Sequence, residues 1–201
     1  MGKIKPLLKN LIIATKNDGK LQEMIVSLSE IIPSILTYKD ANWDTPEETG
    51  HSFVENATIK ARHVAIITGL PALADDSGLC IEKLNGAPNI FSARLAEECN
   101  GFDGAIEKIK KDLNGQESRA RFISALCLFL PDGTHHEFCG TLYGNINFPP
   151  QGPTIGYESI FIPDGYNTSL SALAPNIREN IHYRTLAIKE LKKFIKDDFY
   201  L

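Results

Sequence analysis

The feature that most constrains this chain is an abrupt change of hydrophobic period near its start. Leu11 to Thr15 is a short apolar run that reads as a buried strand, and Lys16-Asn17-Asp18-Gly19 interrupts it. Leu21, Met24, Ile25, Leu28 and Ile32 then return at helical spacing. A strand, a polar turn and a helix in that order open an α/β fold, in which helices cover a sheet.

The rest of the chain extends this plan. Ile35 to Lys39 is a second strand candidate, followed by a polar stretch from Asp40 to His51. Ser52 with Glu55 three residues on forms a capping-box signature for a helix carrying Phe53, Ala57, Ala61, Val64 and Ala65. Pro71 to Ala74 reads as another buried strand, expected to end at Asp75-Asp76-Ser77-Gly78. A helix is expected near Asp103 to Asn114, closed by Gly115. Arg119 to Leu130 and His136 to Ile146 flank the turn Pro131-Asp132-Gly133-Thr134 as a long antiparallel hairpin. Tyr157 to Ile162 looks like a strand, and Ile177, Ile181, Ile188, Leu191 and Ile195 mark one C-terminal helix. No repeat or Gly/Ser linker divides the 201 residues, so one domain with a mixed sheet is predicted.

Composition narrows the function classes. With 21 Lys and Arg against 25 Asp and Glu, the net charge of −4 argues against a broad footprint for a nucleic-acid polymer and leaves room for a local phosphate site. Cys80, Cys99, Cys127 and Cys139 form no C-x-x-C pair and read as reduced, mostly packed thiols. Lys9 and Asn10 interrupt any signal-peptide apolar region, and Pro6 spoils a myristoylation pattern. Val64 to Ala74, the longest nearly apolar stretch, carries Thr68, Gly69 and Pro71 and is too short to cross a bilayer. A cytoplasmic protein is expected.

Two constellations could carry chemistry. Thr15, Lys16, Asn17, Asp18, Gly19 and Lys20 lie where a strand passes into a helix, so backbone N–H groups and lysines could meet an anion. The pattern is not a Walker A loop, and an ordinary strand-to-helix turn is the commoner use of so short a motif. Asp75 and Asp76 are adjacent on a strand, point to opposite faces and should not share a job. Carboxylates at a strand end can hold Mg²⁺ or deprotonate a water, although a turn using Asp and Ser to bond its own backbone is at least as common. Glu47 and Glu48 could complete a metal site, and Asn56 with Lys60 share a helix face that could look at phosphates. His135 and His136 diverge on a hairpin and read as surface residues.

Together these pieces resemble the inosine triphosphate pyrophosphatases, the Ham1 or RdgB proteins, over nearly the whole chain. The matching stretches are Ala14-Thr15-Lys16-Asn17-Asp18-Gly19-Lys20, Glu47-Glu48-Thr49-Gly50, Phe53-Val54-Glu55-Asn56-Ala57 with Lys60-Ala61-Arg62, and Ala74-Asp75-Asp76-Ser77-Gly78-Leu79. Gly86-Ala87-Pro88, Ser92-Ala93-Arg94, Gly156-Tyr157 and Ile160-Phe161 follow in order. The resemblance implies an elongated mixed α/β sheet with flanking helices, two lobes around a nucleotide cleft, and a homodimer. It implies hydrolysis of ITP, dITP or XTP to the monophosphate and pyrophosphate with Mg²⁺. Thr15 to Lys20 would then hold the triphosphate, with Asn56 and Lys60 supporting it. Asp76 would be general base and metal ligand, Ser77 a substrate contact, and Glu47 the second metal ligand in preference to Glu48.

The base-reading stretch departs from that pattern. Ile155-Gly156-Tyr157-Glu158 stands where the family has Phe-Gly-Tyr-Asp, so a branched aliphatic replaces a stacking ring, while Tyr157 could still supply one. Arg178 replaces a lysine, Tyr183 a histidine, and Arg184 is kept. Ala174 lacks the hydroxyl that would cap the helix begun by Pro175. These changes are compatible with a pocket that still works or with a shifted base preference. A nucleotide sensor without turnover is the rival from another class, and an intact Asp76, Glu47 and Lys20 argue against it.

Overall fold

A computed structural model describes residues 7–199; the N-terminal Met1–Pro6, read above for targeting signals, and the last two residues lie outside the described ones. In chain order the elements are β1 (Asn10–Ile13), α1 (Asp18–Leu28), β2 (Ser34–Leu36), α2 (Phe53–Thr68), β3 (Ala72–Ile81), α3 (Ser92–Glu98), α4 (Phe102–Asp112), β4 (Ser118–Phe129), β5 (His135–Ile146), β6 (Phe161–Pro163), α5 (Pro175–Ile181) and α6 (Tyr183–Asp198). The strands form a six-stranded sheet in the order β2-β1-β3-β4-β5-β6. β1 pairs in parallel with β2 and β3, whereas β5 pairs antiparallel with β6, so the sheet is mixed and the fold α/β, as predicted.

The chain forms two compact units. Among the described residues the first comprises 7–76, 124–140 and 185–199, the second 77–123 and 141–184. In the first, strand alternation sorts side chains to two buried faces. Leu11 and Ile13 of β1, Leu73 of β3, and Leu126 and Leu128 of β4 pack with Leu21, Met24 and Leu28 of α1 and Ala187, Ile188, Leu191 and Ile195 of α6. Their neighbours Ile12, Ala72, Ala74, Cys127 and Phe129 turn to the other face, against Ala57, Ala61, Val64 and Ala65 of α2. The second unit packs Leu79, Ile81, Ala120, Phe122, Ile146 and Phe161 from its strand segments against Ala96 of α3 and Ala105, Ile106 and Ile109 of α4.

Three expectations are corrected. The strand through Asp75 does not stop there; β3 continues to Ile81 because Leu79 and Ile81 are fully buried core residues and Cys80 bridges to Pro88. Tyr157 to Ile162 is mostly a 3-10 turn, Glu158–Ile160, and only Phe161–Pro163 is strand. The C-terminal helix is two helices, since His182 adopts extended backbone angles (φ −57°, ψ 133°) and separates α5 from α6. Helix α3 had no counterpart in the sequence reading. Cys80 and Cys127 are buried, Cys99 half-buried and Cys139 exposed, all as free thiols.

Candidate active site

Helix α1 starts where β1 has passed its last buried residues. Asn17 is its N-cap: the side-chain oxygen accepts from the Lys20 amide at 3.0 Å, and Asp18 in the first turn suits the positive end of the helix. The hydroxyl of Thr15 accepts from the Asn17 amide at 3.2 Å, and Asp18 accepts from the Tyr38 hydroxyl at 3.0 Å. Lys16 and Gly19 are exposed, whereas Lys20 turns its ammonium to Asp75.

The alternation of β3 separates the two aspartates, as the sequence predicts. Asp75 shares the parity of Leu73 and faces α1; its carboxylate, fully buried, meets Lys20 Nζ at 2.6 Å and accepts from Ser124 Oγ at 2.5 Å. Asp76 shares the parity of Ala74 and faces α2. It meets Lys60 Nζ at 3.0 Å and accepts from Asn56 Nδ2 at 3.3 Å. Lys60 also reaches Glu48 Oε1 at 2.7 Å, so two carboxylates converge on one ammonium. Glu47 is exposed, and the glutamate brought to Lys60 is its neighbour Glu48.

Helix α2 is fixed at its start by the predicted box. Ser52 Oγ accepts from the Glu55 amide at 3.2 Å, and Glu55 Oε2 accepts from the His51 amide at 2.7 Å, one residue earlier than the standard return bond. Asn56, fully buried, accepts from the Gly50 amide at 2.9 Å with Oδ1, which leaves Nδ2 to donate to Asp76. A Cβ on Gly50 would lie 2.6 Å from Asn56 Oδ1, so this close approach requires glycine.

The charges of this group are not at their ordinary values. Burial raises the Asp76 carboxyl above the usual range and outweighs the opposing pull of Lys60. Burial works to lower Lys60, but Asp76 and Glu48 prevail and hold the ammonium more firmly charged than usual.

The second unit holds the remaining predicted residues. Glu158 is buried and gripped by Arg178 with two bonds, Nε at 2.7 Å and Nη2 at 2.9 Å. The buried His182 lies with Nε2 3.2 Å from Glu158, and its Nδ1 accepts from the Arg184 amide at 3.3 Å, which assigns the proton to Nε2. Burial alone would raise Glu158, but His182 and Arg178 hold it below the usual carboxylate range. Arg184, also buried, donates to Ser77 Oγ at 3.1 Å. Tyr157 is a packed core residue; its hydroxyl donates to the Ser92 carbonyl at 2.7 Å and Phe102 meets its ring edge to face. Tyr183 stacks on Phe122 with ring centroids 4.7 Å apart, while Ile155 is exposed and Gly156 takes a left-handed φ of 58°.

Sequence reading missed two residues of these groups. Ser124 is a polar residue at the parity of Leu126 and Leu128 on a buried strand, the one signal that could have singled it out. His182 is the histidine of this region, one position before Tyr183, which stands where the family has a histidine. Among the described residues no three His, Cys, Asp or Glu side chains gather as a metal cage.

A mixed α/β sheet whose strand β3 delivers two buried carboxylates, each to its own lysine, one of those lysines in the first turn of a helix, defines an α/β protein with a paired-charge site. The Ham1 family model matches residues 11–194. Similar proteins include the dITP/XTP pyrophosphatase of Zymomonas mobilis, 41% identical over 186 residues that span 90% of this chain and 89% of the relative. The dITP/XTP pyrophosphatase of Rhodospirillum centenum is 39% identical, over 90% of this chain and 92% of its own. Among solved structures, the Staphylococcus aureus Ham1 protein superposes with a TM-score of 0.85 at 31% identity, covering 94% of this chain and 99% of that one. The Coxiella burnetii HAM1 protein gives 0.85 at 32% identity with the same coverage. This chain belongs to the Ham1 family.

Proposed function

We propose that the protein hydrolyses non-standard purine nucleoside triphosphates of the dITP, ITP and XTP kind to the monophosphate and pyrophosphate, with Mg²⁺ as cofactor. The observation that carries this reading is the division of labour between the adjacent aspartates: Asp75 is committed to Lys20, and Asp76 remains at the Lys60–Glu48 group with its basicity raised by burial. Relatives named dITP/XTP pyrophosphatase support the substrate class.

In this reading the first-turn amides of α1 and the ammonium of Lys20 bind phosphate oxygens. Lys60 balances the negative charge that gathers as the anhydride bond between the α and β phosphates breaks. Asp76 accepts the proton of the attacking water, and its raised pKa makes it the better base for that step. No protein nucleophile is needed, because pyrophosphate is a competent leaving group once its charge is balanced.

The convergence of Glu48 and Asp76 on one cation fits Mg²⁺, which takes one or two carboxylates and completes its shell with water and phosphate oxygens. Asp76 with Glu48 or Glu47 would hold the ion, which when bound screens phosphate charge and lowers the pKa of water. A homodimer working in the cytoplasm belongs to the same reading, and light scattering of the purified protein tests the dimer. The reaction is tested by its products: dITP should yield dIMP and pyrophosphate in equal amounts, and release of dIDP with inorganic phosphate would refute the proposed bond cleavage.

A further inference from the structure

The Lys20–Asp75 pair ends on a residue with no place in the chemistry above. Ser124 of β4 is fully buried, and its hydroxyl donates to Asp75 Oδ1 at 2.5 Å while Lys20 Nζ takes Oδ2 at 2.6 Å. Because the alternation of β4 puts Ser124 on the same face as Leu126 and Leu128, its side chain lies in an otherwise apolar layer. A hydroxyl there is costly unless it is bonded, and it is bonded to the carboxylate.

We propose that Ser124 is a positioning residue for catalysis, acting on substrate phosphate only through Asp75 and Lys20. The proposal rests on the functional reading above and adds to it how the phosphate-binding ammonium is held. Lys20 stands at the third helical position of α1, where the helix dipole repels a cation, and its long stem has many rotamers. A carboxylate with a fully buried side chain counters the repulsion, and a buried carboxylate can turn about its own axis unless its second oxygen is tied. Ser124 ties it. The ammonium of Lys20 is then held at a fixed point from which it can reach phosphate, which is how a preorganised charge speeds a reaction.

The test is a double-mutant cycle on the full-length protein, with kcat and KM for dITP measured in wild type, Ser124→Ala, Lys20→Met and the double variant. Ser124→Ala should lower kcat/KM about tenfold, the worth of one hydrogen bond to a charged group. In the Lys20→Met background the same change should cost less than about twofold, because the group it positions is gone. Equal factors in both backgrounds would make Ser124 merely structural and overturn the proposal, as would no effect in the wild-type background. Ser124→Cys keeps the volume with a weaker donor and should follow Ser124→Ala; it replaces the alanine variant if that one does not fold. If wild type hydrolyses no triphosphate, the functional reading fails by itself. The same cycle read as the Kd for inorganic tripolyphosphate then decides the positioning role, with coupling supporting it and additivity refuting it.

Discussion

Asp76 carries the proposed chemistry, and its surroundings say what removing its charge should do. Because burial raises its pKa in the folded protein, the charged carboxylate opposes folding at neutral pH, and a neutral amide of the same shape relieves that cost. Asp76→Asn should therefore lower kcat roughly 10²- to 10⁴-fold without lowering Tm, by steady-state kinetics and thermal melts. Gly50→Ala places a methyl against Asn56 and should displace the amide that bonds Asp76, destabilising the fold by about 1–3 kcal/mol and lowering activity with it. Glu158 behaves in the opposite sense to Asp76. Its folded pKa is depressed, so the stability it contributes is fully present above the ordinary glutamate value of about 4.3 and is lost as pH falls through the depressed one. Acid melts should show Glu158→Gln losing less stability than wild type over that fall.

At the scale of elements, the starts of α1 and α2 are where sequence and structure agree best. Ser52 and Glu55 were recognisable because a cap is local: donor and acceptor lie three residues apart and need no tertiary information. Ser52→Ala should lower stability by about 1 kcal/mol in a denaturant titration, and Ala174→Ser, supplying α5 with the cap it lacks, should raise it by a similar amount. The opposite faces of Asp75 and Asp76 were legible for the same reason, strand alternation being a property of adjacent residues. What stayed hidden was non-local. Asp75 and Asp76 look like a strand end because two acids in a row suit a turn, whereas the partners Lys20, Ser124, Lys60 and Asn56, distant in sequence, offset the cost of burying a strand through them. The break at His182 was invisible because Ile177, Ile181 and Ile188 keep helical spacing across it, although the imidazole is turned to Glu158. Glu48 rather than Glu47 reaches Lys60 from a loop whose path carries no periodic signal.

For the molecule as a whole, the order β2-β1-β3-β4-β5-β6 places β3 between β1 and β4, the strands that lead to Lys20 and carry Ser124. A parallel β1–β3 pair is what allows one helix, α1, to bring its first turn to a carboxylate 55 positions away in sequence, from Lys20 to Asp75. No described helix is long and apolar enough to cross a membrane. If Mg²⁺ serves the proposed hydrolysis, chelation with EDTA should abolish turnover and added Mg²⁺ should restore it. The decisive measurement is pyrophosphate release from dITP, ITP and XTP against ATP and GTP, with wild type and Asp76→Asn side by side. Wild type should strongly prefer the first three, and the variant should lose that activity. Tight triphosphate binding by wild type with no pyrophosphate released from any of the five would contradict the proposed hydrolysis, and would make the protein a sensor.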